Sequence, residues 1–182
     1  MSAKIIDGEA VAAEITAQVR ADAAALAKAG RPPRLVAVQV GENPASKIYT
    51  NMQKKSCEDA GIAYDLLNLP EQTSQQDLLE QVRKLNADPK VTGIILQMPV
   101  PKHIDARKVQ VTISPAKDVE GMHPENLGRL FYGGATVSPC TAAAAVELLR
   151  RTCGDLAGKE AVVVGHSEIV GKPVAMMLLQ SL

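Results

Sequence analysis

Leu35-Val36-Ala37-Val38-Gln39-Val40, closed by Gly41-Glu42-Asn43-Pro44, is the stretch that decides the fold. Aliphatic residues in an almost unbroken run, stopped by a Gly-to-Pro turn, read as a buried strand. Upstream lies an alanine-rich helix. Asp7 can cap it, Val11, Ile15, Val19 and Leu26 recur at helical spacing, and Gly30 ends it before Pro32-Pro33. Downstream, a second helix is expected from Ala45 to Ala60 with Gly61 as its stop, then a second strand from Tyr64 to Leu69. Ser74 and Asp77 have the spacing of a capping box. They open a helix through Leu78, Leu79, Val82 and Leu85 that Asp88-Pro89 ends, and Val91 to Met98 is a third buried strand. Strands alternating with helices of this length indicate βαβ units on a mainly parallel sheet. Such sheets bind ligands at the carboxyl ends of their strands, so the segments after Val40, Leu69 and Leu96 are the ones to search.

Beyond the third strand the spacing predicts a helix near Ile104 to Val111, the loop Ser114 to Gly121, a hinge at Gly133-Gly134 and a helix from Pro139 to Arg151. Lys159 to Gly165 reads as a new strand that turns through His166 to Pro173 into another helix. This strand–turn–helix is the first unit of a doubly wound domain, which needs on the order of 100–150 residues; with Leu182 inside that first helix, the domain is expected to be begun and not finished. The expected fold class is therefore α/β: an N-terminal three-layer α/β domain on a mainly parallel sheet over residues 1–138, then the start of a Rossmann-like domain over 139–182.

Twenty basic and twenty acidic residues give zero formal net charge, which removes the long-range field that a nucleic-acid or anionic-membrane binder uses. Cys57, Cys140 and Cys153 are far apart and form no CxxC pair, so neither a metal site nor a disulfide framework is expected. No apolar run is long enough for a signal peptide or a bilayer span. The expectation is a cytoplasmic protein without nucleic-acid or membrane partners.

Four segments carry the polar groups that chemistry would use. Tyr49 and Gln53 are four residues apart, on one face of the second helix, whereas Lys54 points about 140° away from Tyr49. Tyr49 alone is equally well read as a packed ring with an exposed hydroxyl. Gln97 ends the third strand before Pro99 and Pro101, which restrict the loop; its plain alternative is a satisfied strand-end amide. Asp118 in Lys117-Asp118-Val119-Glu120-Gly121 is a loop carboxylate for which an Asx-turn is the plain reading. Gly165-His166-Ser167-Glu168-Ile169-Val170-Gly171 follows a strand and opens a helix, a setting that lets backbone N–H groups meet a phosphate. With Ser167 and Val170 in place of the second and third glycines of G-x-G-x-x-G, the bare pattern is a weak dinucleotide signal. Cys140 has no nameable base and reads as a packing residue at a helix start.

In order and at suitable distances, Gly41-Glu42-Asn43-Pro44-Ala45-Ser46 with Tyr49, Gly93 to Pro101, Pro115 to Gly121, Pro139-Cys140-Thr141 and Val163 to Pro173 together resemble the bifunctional methylenetetrahydrofolate dehydrogenase/methenyltetrahydrofolate cyclohydrolase family over the entire chain. The resemblance implies a folate cleft, oxidation of methylenetetrahydrofolate by hydride transfer to NAD or NADP, hydrolysis of the methenyl product, and a homodimer when full length. It implies that Tyr49 stacks on or orients the folate rings, that Gln97 bonds near the reacting carbon with Pro99 beside it, and that Asp118 accepts from the pterin's N–H donors. Gly165, His166 and Ser167, with Thr141, Gly171 and Pro173, would hold the cofactor. Three positions depart from the family pattern. Its Tyr-x-x-x-Lys is Tyr49 to Gln53 here, and glutamine cannot take the proton that the hydrolytic step needs. Its Gly-Arg-Ser is Gly165-His166-Ser167, and a mostly neutral histidine is a poorer partner than arginine for a 2′-phosphate, which favours NAD. Its Pro-Cys-Thr-Pro ends in Ala142. A dehydrogenase with weak or absent cyclohydrolase activity is expected; the rival reading is a non-catalytic folate-binding or assembly paralogue, which the loss of the lysine favours and the retention of Tyr49, Gln97 and Asp118 opposes.

Overall fold

The computed structural model describes residues 5–42 and 44–180. The turn expected at Asn43 and the side chains of residues 44–46 lie outside the described residues. In chain order the elements are α1 (Gly8–Lys28), β1 (Arg34–Val40), α2 (Pro44–Asp59), β2 (Ala63–Leu69), α3 (Gln75–Ala87), β3 (Gly93–Leu96), α4 (Ala106–Gln110), α5 (Pro124–Phe131), α6 (Cys140–Cys153) and α7 (Gly171–Leu179). They form two compact units, one of Ile15–Val119 and one of Met1–Glu14 with Glu120–Leu182.

The first unit is built on a parallel sheet of order β2-β1-β3. Val36, Val38 and Val40 of β1 point to one face and join Ile94 and Leu96 of β3 with Leu78 and Val82 of α3 and Val109 of α4 in one buried cluster. Leu35, Ala37 and Gln39 point to the other face, paired in register with Tyr64, Leu66 and Asn68. Tyr64 donates its hydroxyl to Gln53 of α2, so α2 covers that face. Helix, sheet and helix give the three layers expected. Ala37 is fully buried at the centre of β1.

Local signals act as their chemistry requires. Asp7 accepts from Ala10 N at 3.0 Å, and Ser74 Oγ accepts from Asp77 N at 3.1 Å while donating to Asp77 Oδ2 at 2.6 Å. Gly61 ends α2 with φ +73°, in the left-handed region where glycine carries no Cβ penalty. The sequence reading missed α5. Its signal was present: Pro124 at the first turn, His123 Nδ1 accepting from Glu125 N at 3.0 Å, and Glu125–Arg129 one turn apart.

The strand expected at Lys159 to Gly165 is absent: those residues form no ladder. A strand exists through hydrogen bonds to a neighbour, and among the described residues this segment has none. Val162 and Val164 stand 90% and 96% exposed. Cys140 is also exposed, and the packed residue at the start of α6 is Pro139.

Candidate functional site

At the carboxyl edge of the sheet, Gln97 N donates to Val38 O at 2.8 Å, which extends the β1–β3 ladder by one residue. The Gln97 side chain is thereby fixed on the face that α2 covers, and it is 4% exposed. Its Nε2 donates to Gln53 Oε1 at 2.8 Å. The same oxygen accepts from the Tyr64 hydroxyl at 3.2 Å. A carbonyl oxygen has two lone pairs, and both are engaged. Burial, reinforced by Cys57 and Tyr49, raises the Tyr64 hydroxyl above its usual range, so it keeps its proton and acts as a donor. Neither Tyr64 nor Gln39 was singled out from the sequence. Gln39 sits on the same face, donates to Gly41 O at 2.9 Å, and leaves a buried Oε1 without a hydrogen bond. The available signal was a lone amide in an otherwise aliphatic strand.

Tyr49 lies one turn before Gln53 on α2 and exposes just over half of its surface, as a ring presented to a ligand must. Pro99 is exposed and follows a cis peptide bond with Met98. Asp118 is held in another way. Ile94 N donates to Lys117 O at 2.8 Å, so residues 117 and 118 run alongside the free edge of β3. The Lys117 ammonium is clamped by three carbonyls at the end of α3, those of Leu85 (2.9 Å), Asn86 (2.8 Å) and Asp88 (2.7 Å). These bonds satisfy carbonyls that a helix end leaves without partners. Asp118 is buried beside this clamp, with its backbone N–H on Ser114 O at 3.0 Å. Ile94 precedes Gln97 by three residues, so the Asp118 backbone lies about 10 Å back along β3 from residue 97. Gln53, Gln97 and Tyr64 are joined directly; Tyr49 lies one turn from Gln53 and Pro99 two residues beyond Gln97, while Asp118 is not brought into contact with them.

In the second unit, Gly165 has φ +126°, and a Cβ on Gly171 would meet Gly165 O at 2.3 Å and His166 N at 2.9 Å. The turn closes only with glycine at both positions. Ser167 Oγ accepts from Val170 N at 3.1 Å and Gly171 N at 3.3 Å, which caps α7 from within the turn. His166 and Thr141 are exposed and Pro173 is buried. The closeness of turn and helix fits a phosphate-binding turn, with Ser167 as the group that would yield its N–H partners to an anion. Among the described residues there is no cluster of three His, Cys, Asp or Glu side chains able to hold a metal ion, and no helix is long and apolar enough to cross a membrane.

Compared with known proteins, residues 6–120 match the model of the tetrahydrofolate dehydrogenase/cyclohydrolase catalytic domain and residues 139–181 that of the NAD(P)-binding domain of the same enzymes. The chain is 52% identical over 178 residues to the bifunctional protein FolD of Geotalea uraniireducens, covering 98% of this chain and 64% of that protein. It is 48% identical over 181 residues to FolD of Cupriavidus metallidurans, covering 100% of this chain and 64% of the relative. Among solved structures, the FolD methylenetetrahydrofolate dehydrogenase/cyclohydrolase of Campylobacter jejuni superposes with a TM-score of 0.94 at 38% identity, over 98% of this chain and 64% of that one. The Trypanosoma brucei enzyme, solved with NADP cofactor and inhibitor, gives 0.89 at 33% identity over 100% and 63%. The chain thus spans a little under two thirds of the length of these relatives.

Proposed function

The chain belongs to the tetrahydrofolate dehydrogenase/cyclohydrolase family, and from that premise we propose that it serves hydride transfer from 5,10-methylenetetrahydrofolate to NAD(P)+, with cyclohydrolase activity weak or absent. Residues 1–138 supply the folate side and residues 139–182 the first part of the nicotinamide side. Tyr49 orients the folate rings, Gln97 holds the region of the reacting carbon with Pro99 walling it, and Asp118 accepts from the pterin's N–H groups. Thr141, Gly165, His166, Ser167, Gly171 and Pro173 form the chain's share of the cofactor site. A bound nicotinamide would supply the hydride acceptor. The protein's task in such a step is to hold two flat rings in register, which needs positioning more than proton transfer.

One observation carries the proposal: Gln53 Oε1 is held by two donors, Gln97 and Tyr64. Water addition to the methenyl carbon needs a group that takes up and returns a proton. A carboxamide does neither at ordinary pH, and Lys54, which turns away to pair with Glu58 at 3.8 Å, does not substitute. The full-length protein is expected to reduce NAD+ with methylenetetrahydrofolate and to hydrolyse methenyltetrahydrofolate slowly, with Gln53→Lys raising the hydrolytic rate by about 10²-fold or more. Hydrolysis at a rate that Gln53→Lys does not raise would overturn this. His166 makes NAD+ the favoured cofactor; a preference for NADP+ that survives His166→Ala would count against it.

A further inference from the structure

The direction in which each amide points decides what the folate-facing edge offers a ligand. A glutamine carboxamide has a donor end and an acceptor end of nearly equal size, so turning it by 180° exchanges the two at little steric cost. At this edge the choice is set by a third side chain. We infer that Tyr64 is a positioning residue for the site: its hydroxyl fixes the amide of Gln53, which in turn fixes the amide of Gln97. The inference rests on the folate reading above and goes further by assigning the polarity of both amides.

The Tyr64 hydroxyl donates to Gln53 Oε1, and Gln97 Nε2 donates to the same atom. Turning Gln53 alone would bring its NH2 group against the NH2 group of Gln97, two donors face to face. Turning both together would make the Tyr64 oxygen accept from Gln53 Nε2 and leave its own proton to find another acceptor. With the Tyr64 proton donated to Gln53 Oε1, Gln97 commits an N–H inward and keeps Oε1 as the atom that can accept from a ligand, while Gln53 keeps Nε2 as a donor. A lysine at position 53 can only donate, so it would require Gln97 to present Oε1 to it, the reverse orientation. The exchange of lysine for glutamine thus does more than remove a titratable amine. Together with Tyr64, it inverts the hydrogen-bonding sense of the neighbouring amide.

Tyr64→Phe removes one oxygen from a half-buried ring and leaves its packing in place. In the full-length protein it is expected to shift the side-chain amide NMR resonances of both Gln53 and Gln97, each assigned by its own substitution. It should lower kcat for hydride transfer by about 3- to 10-fold with KM changed less than about twofold. In a Gln53→Leu background the same substitution should change kcat by less than about 1.5-fold, since Tyr64 then has no amide to hold. Gln97 resonances that do not move, or a kcat loss of equal size in the two backgrounds, would overturn the inference. A full-length protein that neither binds nor oxidises methylenetetrahydrofolate would instead remove the functional reading, and the resonance measurement would still decide whether Tyr64 sets the two amides.

Discussion

The edge around Gln97 and the segment from Lys159 to Ser167 both follow strand-like sequence, and they are held in opposite ways. Gln97 continues a ladder, and Asp118 is reached through a β-bridge and the three-carbonyl clamp of Lys117. Residues 159–165 have no ladder, and Val162 and Val164 face outward. Nearby, Leu149, Leu156, Val163, Ala175 and Leu178 line an apolar cavity of about 580 Å³. The difference teaches that a strand-like sequence supplies only half of a strand. The other half is a neighbour whose N–H and C=O groups match.

The largest effect is expected in the core beneath the first region. Leu78 is fully buried against the sheet, so Leu78→Ala should lower the unfolding free energy by about 2–5 kcal/mol in urea titration, with the slope unchanged. A loss below about 1 kcal/mol would break the comparison. Next comes Lys117→Met, which strips three carbonyls of a charged donor. A loss of about 1.5–3 kcal/mol is expected, together with weaker folate binding because Asp118 loses its anchor. Loss of stability without loss of affinity would show that the clamp does not position Asp118.

A smaller effect should appear with pH. Burial raises the Cys57 thiol above its usual 9.0, with Glu58 adding to it, and raises the Tyr64 hydroxyl above its usual 10.0. Both groups are uncharged below those values, and the folded state favours the uncharged form. Their contribution to stability is therefore complete below about pH 9 and is lost as pH rises through the raised folded values. Urea midpoints should stay flat from neutral pH to about 9 and then decline, and Tyr64→Phe should remove the part above about pH 10. A decline that is the same in wild type and variant would exclude Tyr64. The smallest effect belongs to the second region: Val164→Ser in the 182-residue chain should change stability by less than about 0.5 kcal/mol, because the side chain is already in water.

Much of the molecule was legible in residue order. The three strands, the Asp7 and Ser74 caps and the Gly61 stop follow from periodicity and turn chemistry, and these depend on neighbours in sequence. Gln97 could be found as a polar group at the carboxyl end of a strand, and Asp118 only as a loop carboxylate. Tyr64 and Gln39 could not be ranked in the same way. Strand alternation places each on a face without saying which polar group waits there. Likewise Lys117 reads as one more loop cation until the end of α3 is seen to arrive beside it.

The sequence alone determined that Leu35 to Val40 would be a buried strand, that helices would cover it, and that position 53 would hold a side chain unable to carry a proton; its central place in the sheet came from the structure. Only the tertiary structure decided which way the Gln53 and Gln97 amides face, and showed that Lys159 to Gly165 has no ladder among the described residues. Both depend on hydrogen-bond partners from elsewhere in space, which Tyr64 is for the amides and no described strand is for the segment. No local pattern along the chain encodes them.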